Sequence, residues 1–340
     1  MNKPLKVAVL GTGTMGKVHA DAWSRIAGAQ LVGMTSLDRE ETQRLADRYG
    51  AQAYDSVDDI LAAPDVDVVD VCLPTYLHKP LIEQAARAGK HVISEKPLGL
   101  NVQEATEIID TCKQHGVQLY VAHVVRFFPE YVQAHEQVKN GAVGKSGVVN
   151  MTRGGHFPRG WKNWYADKEK SGGLILDMII HDFDWLRWTF GDVCRVMARC
   201  QSRLTGDDPL EYALVTLRMA DGTIAHVEGS WAHATFRTTF EIAGADGMLE
   251  HDSRTSTPLT VSQRGTKVAA AQGVAVPESP LAEGPYEREL RHFTQCLLTG
   301  SEPIVTAYDA LKAVEIAQAA LKSAETGEVV TLKAEAEEVN

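Results

Sequence analysis

Over the first third of the chain, short apolar runs rich in β-branched residues alternate with amphipathic stretches of about ten residues. The runs at 5–10, 31–35, 66–73, 91–94 and 118–123 have strand length and end at glycine, proline or polar residues. Between them, 15–27, 40–49, 78–88 and 102–115 read as helices, and Gly50, Gly89 and Gly116 stop three of these. Ser56 and Asp59 form a capping box that opens a further short helix. Strands joined by single helices predict βαβ units and a parallel sheet.

The rhythm changes after Arg126. A helix at 130–139 leads to a strand at 148–153, a polar aromatic loop and a helix over 174–189. Strand-like segments then follow one another at 195–203, 211–219, 223–231 and 238–244, with Asp221-Gly222 as a hairpin turn. Consecutive strands without helices predict an antiparallel sheet. Residues 257–285, rich in proline and small side chains, read as strand edges and loop. Thr306 and Asp309 cap a closing helix with the stripe Ala310, Leu311, Val314, Ala317 and Leu321, stopped by Gly327. Two domains are expected, 1–124 and 125–340, with the helix 306–325 a candidate to pack back on the first.

Charge narrows the partners. The 34 basic and 45 acidic residues give a net charge of −11, which disfavours nucleic acid and anionic membranes, since both need a positive surface. The first apolar run is too short for a signal-peptide core, and nothing approaches the ~18 apolar residues of a membrane span. Five scattered cysteines without a Cys-x-x-Cys pair suggest reduced thiols and a cytoplasmic protein.

Candidate chemistry starts at Gly11-Thr12-Gly13-Thr14-Met15-Gly16, between the first strand and first helix. Glycines there allow a tight turn and a close backbone approach to a pyrophosphate, which the helix N-terminus then faces. About 20 residues on, where a ribose-binding acid is usual, stands Ser36, followed by Asp38 and Arg39. A serine does not repel a 2′-phosphate and Arg39 offers it a partner, which leans towards NADP. Asp38 reaching the ribose hydroxyls would instead suit NAD. Lys96, in Glu95-Lys96-Pro97, follows a strand at its carboxyl end, where ligands of such sheets bind; the alternative is a solvated loop lysine.

Asp177 and His181 are four apart and share a face of the helix expected over 174–189, as do Asp184 and Trp188. Ile179, Ile180, Phe183 and Leu186 form the opposite, apolar face. A histidine beside a carboxylate suits proton transfer from an alcohol; the plain alternative is an i,i+4 surface pair. No third ligand stands at recognisable spacing, so no metal is expected. His156, Trp161, Asn163, Trp164 and Tyr165, before this helix, mix aromatic faces with polar donors. They suit a polyhydroxylated ring, or packing at a domain interface.

These motifs resemble the glucose–fructose oxidoreductase/inositol dehydrogenase (Gfo/Idh/MocA) family over nearly the whole chain. The resemblance rests on GTGTMG (11–16), CLPTYLH (72–78), ISEKPLGLN (93–101), VRFFPEY (125–131), GGLILDMIIHDFDWLRW (172–188) and the closing ELRHF and EPIVTAYDAL segments. It implies an α/β chain with an N-terminal Rossmann domain and a C-terminal α+β domain on a large, open, mainly antiparallel sheet. That sheet would form a homodimer or homotetramer contact. It also implies NAD(P)-dependent oxidation or reduction of a secondary alcohol of a sugar, sugar acid or cyclitol. Lys96, Asp177 and His181 match the family's catalytic set. Leu73, Pro74, Thr75, His78 and Glu95 fall in segments that border the cofactor, and Arg126 near the substrate. Ser36 departs from NAD-preferring relatives, and the loop 155–164 is variable, so substrate identity does not carry over. Alternatives are a dehydrogenase of trans-dihydrodiols or carbonyl compounds, and a non-catalytic dinucleotide sensor.

Overall fold

The computed structural model describes residues 3–205, 208–255, 260–263 and 283–333. The first elements are β1 (Leu5–Leu10), α1 (Thr14–Trp23), β2 (Ala29–Thr35), α2 (Arg39–Tyr49), β3 (Gln52–Ala53), α3 (Val57–Ala62), β4 (Val68–Val71), α4 (His78–Arg87), β5 (His91–Glu95), α5 (Val102–Gln114) and β6 (Leu119–Ala122). They build a parallel sheet in the order β3-β2-β1-β4-β5-β6. Its strands are buried on both faces. Val7, Val9, Val68 and Ile93 pack with Trp23 and Leu45 of α1 and α2. Ala8, Leu10, Val69, Val71 and Val92 pack with Ile60, Ile82 and Ile108 of α3, α4 and α5. This two-sided burial is why the strands read as continuous apolar runs.

The chain continues through α6 (Pro129–Lys139), β7 (Ser146–His156), α7 (Lys168–Ser171), α8 (Gly173–Asp177), α9 (Ile180–Phe190), β8 (Val193–Thr205), β9 (Asp208–Met219), β10 (Ile224–Ser230), β11 (Ala232–Gly244), β12 (Gly247–Asp252), β13 (Thr260–Gln263), α10 (Pro285–Thr299), α11 (Ala307–Thr326) and β14 (Val330–Thr331). The second sheet has the order β13-β12-β11-β7-β10-β9-β8-β14 and is antiparallel except where β10 runs parallel to β7. Along β9 burial alternates strictly from Glu211 to Leu217, with Tyr212 and Leu214 on the open face. The covered face packs aromatic rings: Trp185 of α9 lies against Tyr131, Phe190 and Phe240.

Two compact units result, and their boundaries differ from the expected 1–124 and 125–340. The first unit takes the chain to Phe127 together with Arg159–Gly172 and Glu283–Val314; the second takes the rest. Core packing explains the return. Leu290, Phe293 and Cys296 of α10 join the cluster around Val7, Val9 and Trp23, and Ala310 of α11 joins that around Ala8 and Leu10. The later part of α11 belongs to the second unit, where the Ser323 hydroxyl accepts the Ala198 N–H of β8. Leu321, expected on the apolar stripe, is exposed. The helix expected over 174–189 is two helices separated at Met178–Ile179. Most of 257–285 lies outside the described residues.

Candidate active site

The glycine loop is shaped by close approach. Gly11 has φ +106°, and a Cβ there would stand 2.3 Å from the Cys72 carbonyl oxygen. A Cβ on Gly16 would stand 2.0 Å from the Gly11 carbonyl oxygen, so α1 can start against β1 only with glycine. Gly13 is different: a Cβ there meets nothing within 4 Å. The middle of the loop therefore faces open space, and no side chain caps the N-terminus of α1. Open space beside uncapped amides fits the pyrophosphate of a dinucleotide. Thr12, Thr14 and Met15 complete this loop. Leu73, Pro74 and Thr75 follow β4 beside it, Leu73 Cδ2 lying 3.2 Å from the Gly11 Cβ position.

At the end of β2, the Ser36 hydroxyl lies 2.7 Å from the Thr12 hydroxyl and 2.8 Å from that of Thr42. A short polar cluster thus stands where the adenosine ribose is expected. Both neighbouring charges are engaged. The Asp38 carboxylate caps α2, accepting the Glu41 N–H at 3.0 Å. Arg39 pairs with the Asp55 carboxylate and donates to its carbonyl on the exposed surface.

The Glu95–Pro97 turn ends β5. Lys96 is half-buried there, and its N–H donates to Glu95 Oε2 at 3.1 Å. In register, Leu10 pairs with Val71 and Val71 with Ser94, so the carboxyl ends of β1, β4 and β5 align. Lys96 and the glycine loop therefore sit at one edge of the sheet. His78 was expected at the cofactor. It is buried, with Nδ1 2.8 Å from the Pro97 carbonyl oxygen and Nε2 2.8 Å from that of Leu73. It braces the backbone bordering the site, and burial lowers its pKa.

Arg126, expected near the substrate, is also buried. It donates to the Ile304 carbonyl at 2.7 Å and lies 3.4 Å from Asp309, tying its turn to the cap of α11.

In the second unit, Asp177 ends α8 and His181 lies in the first turn of α9, both half-buried. The break between the helices means that their four-residue spacing is not that of one continuous helix. Asp184, expected on their polar face, is buried, as is Asp182. The start of α9 is firmly held. Asp182 takes two 2.8 Å hydrogen bonds from Arg153 of β7, and Trp185 Nε1 donates to the Tyr131 carbonyl at 3.0 Å. Burial works against the Arg153 charge, but the Asp182 carboxylate outweighs it and raises the pKa. The start of α8 is capped by Glu211, which accepts the Leu174 N–H at 3.0 Å. Gly229 of β10 lets this corner approach the sheet, since a Cβ there would lie 2.7 Å from Ile179.

The aromatic loop and Tyr76 line an open cavity of about 440 Å³ in the first unit. Trp161, Asn163 and Trp164 border it. Trp164 stacks on Tyr165 at 3.9 Å, and the Lys162 ammonium lies 4.3 Å from the Trp161 ring centre. Lys162 and Asn163, between the two tryptophans, have φ of 50° and 52°, a left-handed bend in the loop. His156 is exposed at the end of β7 in the other unit.

Sequence reasoning missed a buried polar cluster under the glycine loop. His19, three residues after Gly16, bonds Asp70 of β4, and Trp23 Nε1 donates to the same carboxylate at 2.7 Å. With Cys72 these are a set of possible metal-ligand types, and His19 Nδ1 already lies within hydrogen-bond distance of Asp70 and of the Cys72 sulfur. The i,i+4 spacing of His19 and Trp23 on the first helix was the available signal. Tyr76 was missed as well.

The sequence model described as "Oxidoreductase family, NAD-binding Rossmann fold" matches residues 5–123, and the GFO/IDH/MocA C-terminal domain matches 131–250. Myo-inositol 2-dehydrogenase of Thermotoga maritima is 27% identical, with 97% of this chain and 99% of that protein covered. Inositol 2-dehydrogenase of Rhizobium meliloti is 29% identical, covering 94% and 96%. The crystal structure of GenD2 from gentamicin A biosynthesis, in complex with NAD, superposes with a TM-score of 0.86 at 29% identity, covering 98% of each chain. Among the described residues no helix is long and apolar enough to cross a membrane. With matching domains along most of its length and a glycine loop open to a dinucleotide, the chain belongs to the GFO/IDH/MocA oxidoreductase family and is an NAD(P)-dependent dehydrogenase.

Proposed function

We propose that the chain interconverts a secondary alcohol and a carbonyl on a sugar, sugar acid or cyclitol. The carrying observation is the alignment of the glycine loop and Lys96 at one edge of the parallel sheet. Relatives named as inositol dehydrogenases and the aromatic, polar loop around Trp161 and Trp164 support the substrate class. Bound at that edge, the nicotinamide supplies the acceptor or donor of the hydride. In oxidation, His181 takes the hydroxyl proton, and Asp177 balances the charge it gains. Lys96 donates a hydrogen bond to the same oxygen and stabilises its developing negative charge. The C–H electron pair leaves with its hydrogen, the C=O bond forms, and the O–H proton remains on His181 until solvent removes it. Reduction runs these roles backwards.

For the cofactor we propose NADP over NAD. Ser36 brings no carboxylate to the ribose position, and Arg39 can leave Asp55 cheaply because that pair is exposed. The exposed Tyr212, Leu214 and Ile224 on the open face of the second sheet suit a second copy of the chain.

The test is a screen of inositols, aldoses and sugar acids with both cofactors, followed by the absorbance of the reduced nicotinamide. On any substrate found, His181→Gln should cost ~10²–10⁴-fold in kcat/KM and Lys96→Met ~10²–10³-fold. Asp177→Asn should cost less. Turnover of none of these polyols sinks the substrate class, and an active His181→Gln sinks the assignment of the base.

A further inference from the structure

Under the dehydrogenase reading, Lys96 must hold one place at the end of β5. We propose that His19 is a positioning residue for Lys96, joining the helix of the glycine loop to the Lys96 turn through Glu95. His19 is fully buried. Its Nδ1 lies 2.9 and 3.2 Å from the two oxygens of Asp70, which Trp23 also holds. Its Nε2 lies 3.2 Å from Glu95 Oε1, off the axis of a straight hydrogen bond, so this contact is chiefly a charge attraction. The other Glu95 oxygen accepts the Lys96 N–H. A carboxylate beside each nitrogen favours the ring that carries both protons. Burial opposes that charge, while Asp70 and the neighbouring Cys72 favour it and raise the pKa well above the ordinary value. The line Asp70–His19–Glu95–Lys96 thus runs from β4 through α1 to the end of β5. Apolar side chains fill such a space at less cost in desolvation, so a buried charged line is a poor device for stability alone.

Two substitutions separate positioning from packing. In His19→Asn the amide stands near the Nδ1 position, keeping Asp70 and losing Glu95. In His19→Gln it stands near the Nε2 position, keeping Glu95 and losing Asp70. Asp70 makes the closer contacts, so a purely structural role predicts that the asparagine variant is the better protein in every assay. Positioning predicts the reverse order in catalysis. His19→Asn should lose about 10- to 100-fold in kcat while His19→Gln stays within about threefold of the parent, with cofactor affinity preserved in both.

A readout without substrate accompanies this. The full chain is acylated with limiting acetic anhydride, and peptide mass spectrometry follows Lys96 relative to the exposed Lys113. His19→Asn should change the relative rate at Lys96 by about threefold or more, and His19→Gln should not. Glu95→Gln, which keeps the acceptor for the Lys96 N–H and turns an amide towards His19, should match His19→Asn and serves if a His19 variant fails to fold. Parent-like acylation in both His19→Asn and Glu95→Gln overturns the proposal, as does a kcat order that follows stability. If the parent turns over no polyol, the dehydrogenase reading fails by itself, and the acylation rates still decide whether His19 positions Lys96.

Discussion

Replacing Asp182 by asparagine should cost the second unit much of its stability. The carboxylate is 1% exposed and takes two 2.8 Å bonds from Arg153, itself 5% exposed. The substitution leaves the guanidinium buried without its counter-charge, with the Tyr131 hydroxyl at 3.3 Å as a neutral partner. Two unit charges ~4 Å apart at an effective dielectric of ~20 attract by ~4 kcal/mol. Breaking a buried pair by removing one partner costs ~3–5 kcal/mol, in agreement. At ~2–4 °C per kcal/mol, a unit of this size should melt ~6–20 °C lower. Calorimetry reads this loss. Titration with NADPH should remain near the parent, because the glycine loop belongs to the other unit. Arg153→Met with Asp182→Leu should recover most of the lost stability, since no unpaired charge is then buried. A loss below ~1 kcal/mol in Asp182→Asn would refute the reasoning and show that solvent reaches Arg153.

Gly13→Val should fold normally, having open space for its side chain, and lose NAD(P)H affinity in a fluorescence titration; Gly16→Ala, whose Cβ meets the Gly11 carbonyl at 2.0 Å, should lower the melting temperature as well. Ser36→Asp should move preference towards NAD by ~1–3 kcal/mol, about 5- to 150-fold in the ratio of NADPH to NADH dissociation constants, and an unchanged ratio would place Ser36 away from the ribose. His19, whose pKa is raised in the folded chain, contributes stability that is complete below the ordinary 6.5 and lost as pH rises through its folded value. His78, whose pKa is lowered, acts oppositely and costs stability as pH falls below 6.5; urea midpoints across pH should show both limbs, and His19→Gln should remove the His19 contribution to the alkaline one.

The parallel sheet was legible because its strands are buried on both faces and so appear as unbroken apolar runs. The second sheet was legible through alternation and the Asp221-Gly222 turn. The return of α10 to the first core was not, because more than a hundred residues intervene and only the closing helix over 306–325 offers itself for such a return. No local pattern marks which core an amphipathic helix will join: Phe293 reads alike beside Val9 or beside Phe240. The partners of Arg126 are hidden for a related reason. It stands among Val124, Val125, Phe127 and Phe128, and only the fold brings the Ile304 carbonyl to its guanidinium.

The break at Met178–Ile179 shows the limit of periodic reasoning at the site itself. The run from Leu174 to Trp188 holds no proline, and its sole glycines precede it, so no breaker stands in the sequence. The interruption comes from packing. Leu174 and Ile179 both settle over Gly229, and the Ile179 N–H reaches back to the Leu174 carbonyl at 3.3 Å, one residue beyond α-helical spacing. Asp182 and Trp185 then lock the next turn to β7 and α6. The i,i+4 rule assumed one helix face, whereas Asp177 and His181 come from two helix ends, each fixed by separate contacts. Two helix ends with independent anchors can set a carboxylate and an imidazole at angles that a single helix face does not offer. The side chains that make those anchors, Glu211, Arg153 and Asp182, are therefore as much part of the proton-transfer proposal as the pair itself.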